Sequence, residues 1–299
     1  MKVLICDATD PKALKLIEEA GIEVVNQPDI TPEELLEVIP DYPCMVVRSR
    51  TKVTKAVLDA GTSLKSVVRA GVGLDNIDVA YAQEKGIKVL NTPSASTQSV
   101  AELTIAYLMA LARNIPLMTA SMKGGKWEKK SFVGSEVSGK TLGLIGSGRI
   151  GSAVADRAIA LGMDVVAFDP YVTELPNITL MKLNDLLVKA DYISLHVPHT
   201  DETHNILDEA AFNKVKAGVR IINCGRGGTI DEDALYQAIE DGKVAGAALD
   251  VFANEPLSDS KLFSLDQVIG SPHIGAGTKE AKARVGEVAA QKVIETLKG

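Results

Sequence analysis

An α/β fold built from two doubly wound parallel-sheet domains is predicted by three features of this sequence. Short Val- and Ile-rich runs alternate with helical patterns along the whole chain, and such alternation produces parallel sheets. At 299 residues the chain is too long for one ordinary core and suits two domains. In the second half, a GxGxxG segment lies between an apolar run and a helical pattern, as in a Rossmann-type domain.

Residues 3–7 read as the first strand, followed by a helix over 11–20. A strand over 45–49 leads to a helix over 54–60, and a strand over 65–70 to a helix over 77–85. Residues 97–113 (TQSVAELTIAYLMALAR) form the longest helical segment of this half, apolar on most faces. The helix opens after the turn signal Asn91-Thr92-Pro93 and is expected to be buried between the domains. Beyond a Gly/Lys-rich stretch over 123–130, a more regular series begins at Thr141, with strands expected at 142–145, 165–168, 192–196, 219–223, 245–249 and 267–269. Each strand ends in small, polar or charged residues. Ligands of open α/β sheets bind outside the carboxyl ends of the strands, so these six loops should converge on one crevice. The last segment, over 279–298, is amphipathic and is expected to pack back on the first domain.

Composition narrows the function classes. The 39 acidic and 32 basic residues are interspersed, giving a net charge of −7 without a basic face, which argues against nucleic acid as a partner. Cys6, Cys44 and Cys224 lie far apart, with no CxxC pair and no histidine cluster. Neither a disulfide framework nor a metal site is expected, and a reducing compartment follows. The apolar stretch over 100–112 contains Glu102 and is too short for a bilayer, and MKVLICDATD reads directly as a strand. The expectation is a cytoplasmic protein without a membrane partner.

The segment over 141–170 carries the cofactor signal. Gly146 permits the tight turn, Gly148 lets a pyrophosphate approach the helix N-terminus, and Gly151 lets helix and strand pack closely. Asp169 lies 18 residues past Gly151, at the end of the next strand. A carboxylate there accepts hydrogen bonds from ribose hydroxyls and repels a 2′-phosphate, which favours NAD over NADP. Arg149 stands beside the expected pyrophosphate, although a solvated basic residue in a first helical turn reads equally well.

Three strand-end loops hold residues suited to hydride chemistry: NCGRGG over 223–228, DVFANEP over 250–256 and SPHIG over 271–275. Oxidising a secondary alcohol needs a base, and imidazole titrates near neutrality. His273 is the candidate, with Glu255 to hold the far ring nitrogen and Arg226 to offer a bidentate fork to a substrate carboxylate. Singly, each also reads as an ordinary loop residue; together they supply a base, its orienting acid and an anion clamp. His196, His199 and His204 receive no catalytic role.

These residues resemble the D-isomer-specific 2-hydroxyacid dehydrogenases, through AGVGLDNID over 70–78, NTPSASTQSVAEL over 91–103, GLIGSGRIG, NCGRGG, DVFANEP and SPHIGAGT. The resemblance covers essentially the whole chain. It implies Arg226, Glu255 and His273 in the roles just given. It also implies cofactor contacts at Arg149, Ile150, Asp169, Val197, Cys224, Gly225, Arg226, Asp250, His273, Gly275 and Ala276. A discontinuous domain order follows from it too: a flavodoxin-like substrate domain over 1–92 and 275–299, with the Rossmann NAD domain over 93–274 inserted. A homodimer is implied as well, with residues 97–118 as interface candidate or, equally, as a buried intrachain helix.

Arg48, Arg50 and Lys52 place three cations at one strand end around Ser49 (VVRSRTKVT, 46–54). A phosphorylated 2-hydroxy acid would require such a group, and a solvated basic turn is the plainer alternative. The backbone amides of Val72 and Gly73 are candidates for holding the substrate carboxylate. By the same resemblance, the family's longer members carry a C-terminal regulatory domain, and feedback inhibition by serine through one is not expected here. An unphosphorylated keto acid is the alternative substrate, and a corepressor-like NAD-sensing protein is a reading from another class.

Overall fold

Fully buried parallel strands need continuous apolar runs, and the structure places the strongest such runs at the centre of two sheets. In a computed structural model describing residues 1–299, the chain forms two units, Met1–Ser96 with Ala276–Gly299, and Thr97–Gly275.

The first unit contains β1 (Lys2–Ile5), β2 (Glu23–Asn26), β3 (Cys44–Val47), β4 (Ser66–Arg69) and β5 (Lys88–Asn91). All pair in parallel, in the order β2-β1-β3-β4-β5, which is the flavodoxin-like order. Strands β2 and β5 were not anticipated from the sequence; they are the sheet's edges, half exposed, so their apolar signal is weak. Helix α1 (Pro11–Glu19) starts with Asp10 accepting from the Lys12 amide, and α2 (Pro32–Val38) with a reciprocal Thr31–Glu34 capping box. Helices α3 (Lys55–Ala60), α4 (Val79–Glu84) and α11 (Lys279–Lys298) complete the unit. Ala281, Val285, Ala289 and Val293 recur every four residues and form the buried stripe of α11. Its contact with α1 is close: a methyl at Gly286 would lie 3.1 Å from the Cβ atoms of Ala13 and Asp10.

The second unit holds seven parallel strands: β6 (Thr141–Ile145), β7 (Asp164–Phe168), β8 (Thr179–Leu180), β9 (Tyr192–Leu195), β10 (Val219–Asn223), β11 (Val244–Leu249) and β12 (Val268–Gly270). Their order, β12-β11-β10-β9-β6-β7-β8, reverses between β6 and β9, the switch point of a Rossmann sheet. Helix α5 (Thr97–Arg113) buries Val100, Ala101, Thr104, Tyr107, Leu108, Leu111 and Ala112 within this unit, against α7 (Arg149–Ala160) and strands β10 and β11. Much of the segment offered above as a dimer interface is thus intrachain core. Asn114, left-handed at φ 52°, ends α5 before α6 (Ile115–Lys123). Helix α6 was not anticipated, because none of its residues is buried and no amphipathic stripe marks it. Helices α8 (Leu183–Lys189), α9 (Glu209–Lys214) and α10 (Glu232–Glu240) cover the sheet. No single helix is long and apolar enough to cross a membrane.

Candidate active site

Because all strands of the second sheet are parallel, the loops expected to carry chemistry share its carboxyl edge. After β6, Gly146 takes φ 92°, and a methyl there would come within 2.9 Å of the His196 carbonyl and Val197. A methyl at Gly151 would sit 2.3 Å from the Gly146 carbonyl oxygen, so neither position admits a side chain. Gly148 differs, since a methyl there meets nothing within 4 Å and would project into open space at the start of α7. It caps that helix with no side-chain hydrogen bond, which leaves the helix N-terminus unclaimed by any cap. Arg149 is exposed beside it and Ile150 half-buried. Asp169, after β7, is held by three donors: Oδ2 accepts the Ser147 amide at 2.8 Å and its hydroxyl at 3.0 Å, and Oδ1 accepts the Tyr171 amide at 3.0 Å.

His273 and Glu255 meet directly. Imidazole Nδ1 lies 2.7 Å from Glu255 Oε2, while Oε1 accepts the Phe252 amide at 3.0 Å. A carboxylate accepts only, so Nδ1 carries the proton in this contact and Nε2 is the nitrogen left for chemistry. The Arg226 loop is braced from below by Asn223, buried at the end of β10. The Asn223 amide nitrogen donates to the Arg226 carbonyl at 2.9 Å and its oxygen accepts the Gly225 amide at 3.0 Å. Arg226 is half-buried, with Nη1 donating to the Gly225 carbonyl at 2.7 Å. A methyl at Gly227 would overlap the Phe252 carbonyl oxygen at 1.8 Å. Glycine at 227 therefore lets the Arg226 loop press against the turn that carries Glu255. Asn223 was not singled out from the sequence; its signal was a polar residue following the apolar pair Ile221-Ile222 at the end of a strand.

Burial pushes the Cys224 thiol up to about 12, so it is neutral and packs below the loop as an apolar group. Burial likewise lowers His196 to about 4. That ring is neutral over the whole working range, and its Nε2 lies 2.9 Å from Ser194 Oγ. His199 and His204 pair with each other at 3.1 Å on an exposed loop.

The remaining site candidates belong to the first unit. Arg48, Ser49 and Arg50 follow β3, and Val72 and Gly73 follow β4. The Val72 and Gly73 amides donate to no backbone carbonyl. Arg50 departs from the free cation expected above. Its guanidinium donates to the carbonyls of Ile30 (2.8 Å), Cys6 (2.6 Å) and Pro28 (2.7 Å), and its Nε lies 3.2 Å from Asp7 Oδ1. These contacts occupy most of its donors. Asp7, buried at the end of β1, also accepts the amides of Arg48 and Thr51 and the Thr51 hydroxyl. Arg50 and Asp7 thus shape the loop, while the Arg48 guanidinium has one long contact, 3.4 Å to the Ala8 carbonyl.

A family model for the D-isomer specific 2-hydroxyacid dehydrogenase, NAD binding domain, matches residues 105–275. The chain belongs to this family. It is 49% identical over 301 residues to the hydroxypyruvate reductase of Thermotoga maritima, covering 99% of this chain and 98% of that protein. It is also 49% identical over 304 residues to the D-3-phosphoglycerate dehydrogenase of Methanocaldococcus jannaschii, covering all of this chain and 58% of that protein. The chain thus spans little more than half the length of such curated relatives, 57% for the rat D-3-phosphoglycerate dehydrogenase. The D-lactate dehydrogenase of Aquifex aeolicus, solved with NAD and lactic acid, superposes with a TM-score of 0.88 at 29% identity, covering 100% of this chain and 96% of that one.

The residues of this family member fit NAD. The open space at Gly148, the uncapped start of α7 and the pre-oriented Asp169 carboxylate suit a pyrophosphate and an adenosine ribose in turn. Replacing Asp169 by Ala is expected to weaken NADH about tenfold or more, the loss of hydrogen bonds to a charged acceptor, and to improve use of NADPH. Cofactor titrations by fluorescence would measure both, and unchanged NADH affinity would remove Asp169 from the site.

Proposed function

We propose that this dehydrogenase interconverts 3-phospho-D-glycerate and 3-phosphohydroxypyruvate with NAD, a reaction of serine biosynthesis. The observation that carries the chemical part is the His273–Glu255 pair at 2.7 Å on the carboxyl edge of a sheet whose first loop fits NAD. NAD supplies the hydride acceptor. His273 Nε2 takes the C2 hydroxyl proton during oxidation and returns it during reduction, with Glu255 holding the Nδ1 proton and ring orientation. Arg226 binds the substrate carboxylate through its planar fork. The phosphate falls to Arg48, with Arg50 and Asp7 shaping its loop. The same reading makes the protein a cytoplasmic homodimer.

One observation favours a second substrate class. With Arg50 spent on three carbonyls and Asp7, a single arginine carries most of the phosphate recognition, and an unphosphorylated keto acid such as hydroxypyruvate needs none. The two readings separate on NADH oxidation with 3-phosphohydroxypyruvate, hydroxypyruvate, glyoxylate and pyruvate. The phosphorylated substrate should be preferred, and Arg48→Ala should raise its KM by about tenfold or more, with little effect on hydroxypyruvate. Equal or better turnover of an unphosphorylated acid, or indifference to Arg48→Ala, would discard phosphoglycerate and leave the hydride chemistry in place.

A further inference from the structure

His273 sits at φ 52°, a left-handed conformation that residues other than glycine rarely adopt. Its turn must therefore be held from outside. Asp250, buried at the end of β11, does this on three sides. Its carbonyl accepts the His273 amide at 2.9 Å, Oδ1 accepts the Ile274 amide at 2.8 Å, and Oδ2 accepts the Gly275 amide at 2.7 Å. Any side chain at position 275 would press on Oδ2, 3.0 Å from where its Cβ would lie. The carboxylate is itself held. The Ser271 hydroxyl donates to Asp250 Oδ1 at 2.5 Å, and the Ser271 oxygen accepts the Tyr107 hydroxyl, also at 2.5 Å. Tyr107 belongs to α5, whose neighbouring residues are locked into the core beneath β10 and β11.

We propose that Tyr107 and Ser271 are positioning residues for the acid–base histidine, their hydroxyls forming a chain from α5 to Asp250 that fixes the carboxylate clamping the His273 turn. Both hydrogens of the chain point toward the carboxylate, so each donor polarises the next. Burial pushes the Tyr107 phenol up to about 12, and it remains a donor at every working pH. The assignment rests on His273 being the acid–base group.

Tyr107→Phe keeps the ring in its packing and removes only the first donor. With whichever keto acid the enzyme reduces best, kcat should fall about three- to tenfold, the range of one neutral hydrogen bond, while both KM values and NADH affinity stay within about twofold. Ser271→Ala should lose at least as much, and Ser271→Thr, which keeps a hydroxyl, should recover most of it. The double variant Tyr107→Phe/Ser271→Ala should be no slower than Ser271→Ala, because both changes cut one chain; independent packing defects would multiply. His273→Ala, assayed alongside, separates the two ideas. Retained turnover in His273→Ala sinks the acid–base assignment. A dead His273→Ala beside a Tyr107→Phe of parental kcat, or losses that multiply, overturns the positioning chain. If Tyr107→Phe does not fold, the Ser271→Ala and Ser271→Thr pair decides, and equal kcat in those two overturns it.

Discussion

Turnover of the His273→Ala variant is expected to fall by about two to four orders of magnitude, the range for loss of a positioned general acid or base. The imidazole is the side chain whose Nε2 is left for proton transfer once Glu255 has taken Nδ1 at 2.7 Å. NADH should still bind, because the loop at Gly146 and Gly148 and the Asp169 carboxylate lie elsewhere on the sheet edge, on β6 and β7. Steady-state kinetics together with NADH titration would show the split. Parental turnover at neutral pH would end the assignment.

Arg226→Gln should raise KM for the keto acid by about a hundredfold, since the bidentate, charge-assisted pair proposed for Arg226 would be replaced by one neutral amide. Arg226→Lys should recover part of this, because it restores the charge without the fork. The loop should survive either change. Asn223 and Thr229 bind the Arg226 backbone carbonyl rather than its side chain, so melting temperature is the control. A KM within about threefold of the parent in Arg226→Gln would remove the carboxylate clamp from this residue.

Much of the fold was legible because its signals are local. The central strands β3, β4, β6, β9 and β10 are largely buried and carry short Val-, Ile- or Leu-rich runs, α5 and α11 were readable end to end, and the GxGxxG turn needs only a few neighbouring residues. The edges were not legible. Strands β2 and β5 are half solvated, β8 has two residues, and α6 buries nothing, so none carries a periodic apolar pattern. In the site, Glu255 and His273 could be paired from sequence because each follows the end of one of two adjacent strands, β11 and β12.

Local chain geometry thus determined, from the sequence by itself, where the GxGxxG loop, Asp169 and the histidine loop stand along the chain. Tertiary structure decided how the side chains are used. Arg50, a cation in sequence, is drawn to the carbonyls of Cys6, Pro28 and Ile30 by partners 44, 22 and 20 residues away. Asp7, which gave no sequence signal, becomes the acceptor that shapes the same loop. Tyr107 reaches Ser271 across 164 residues. Such contacts depend on which strands lie side by side, and buried hydrogen-bonding groups must find their partners wherever the sheet order brings them.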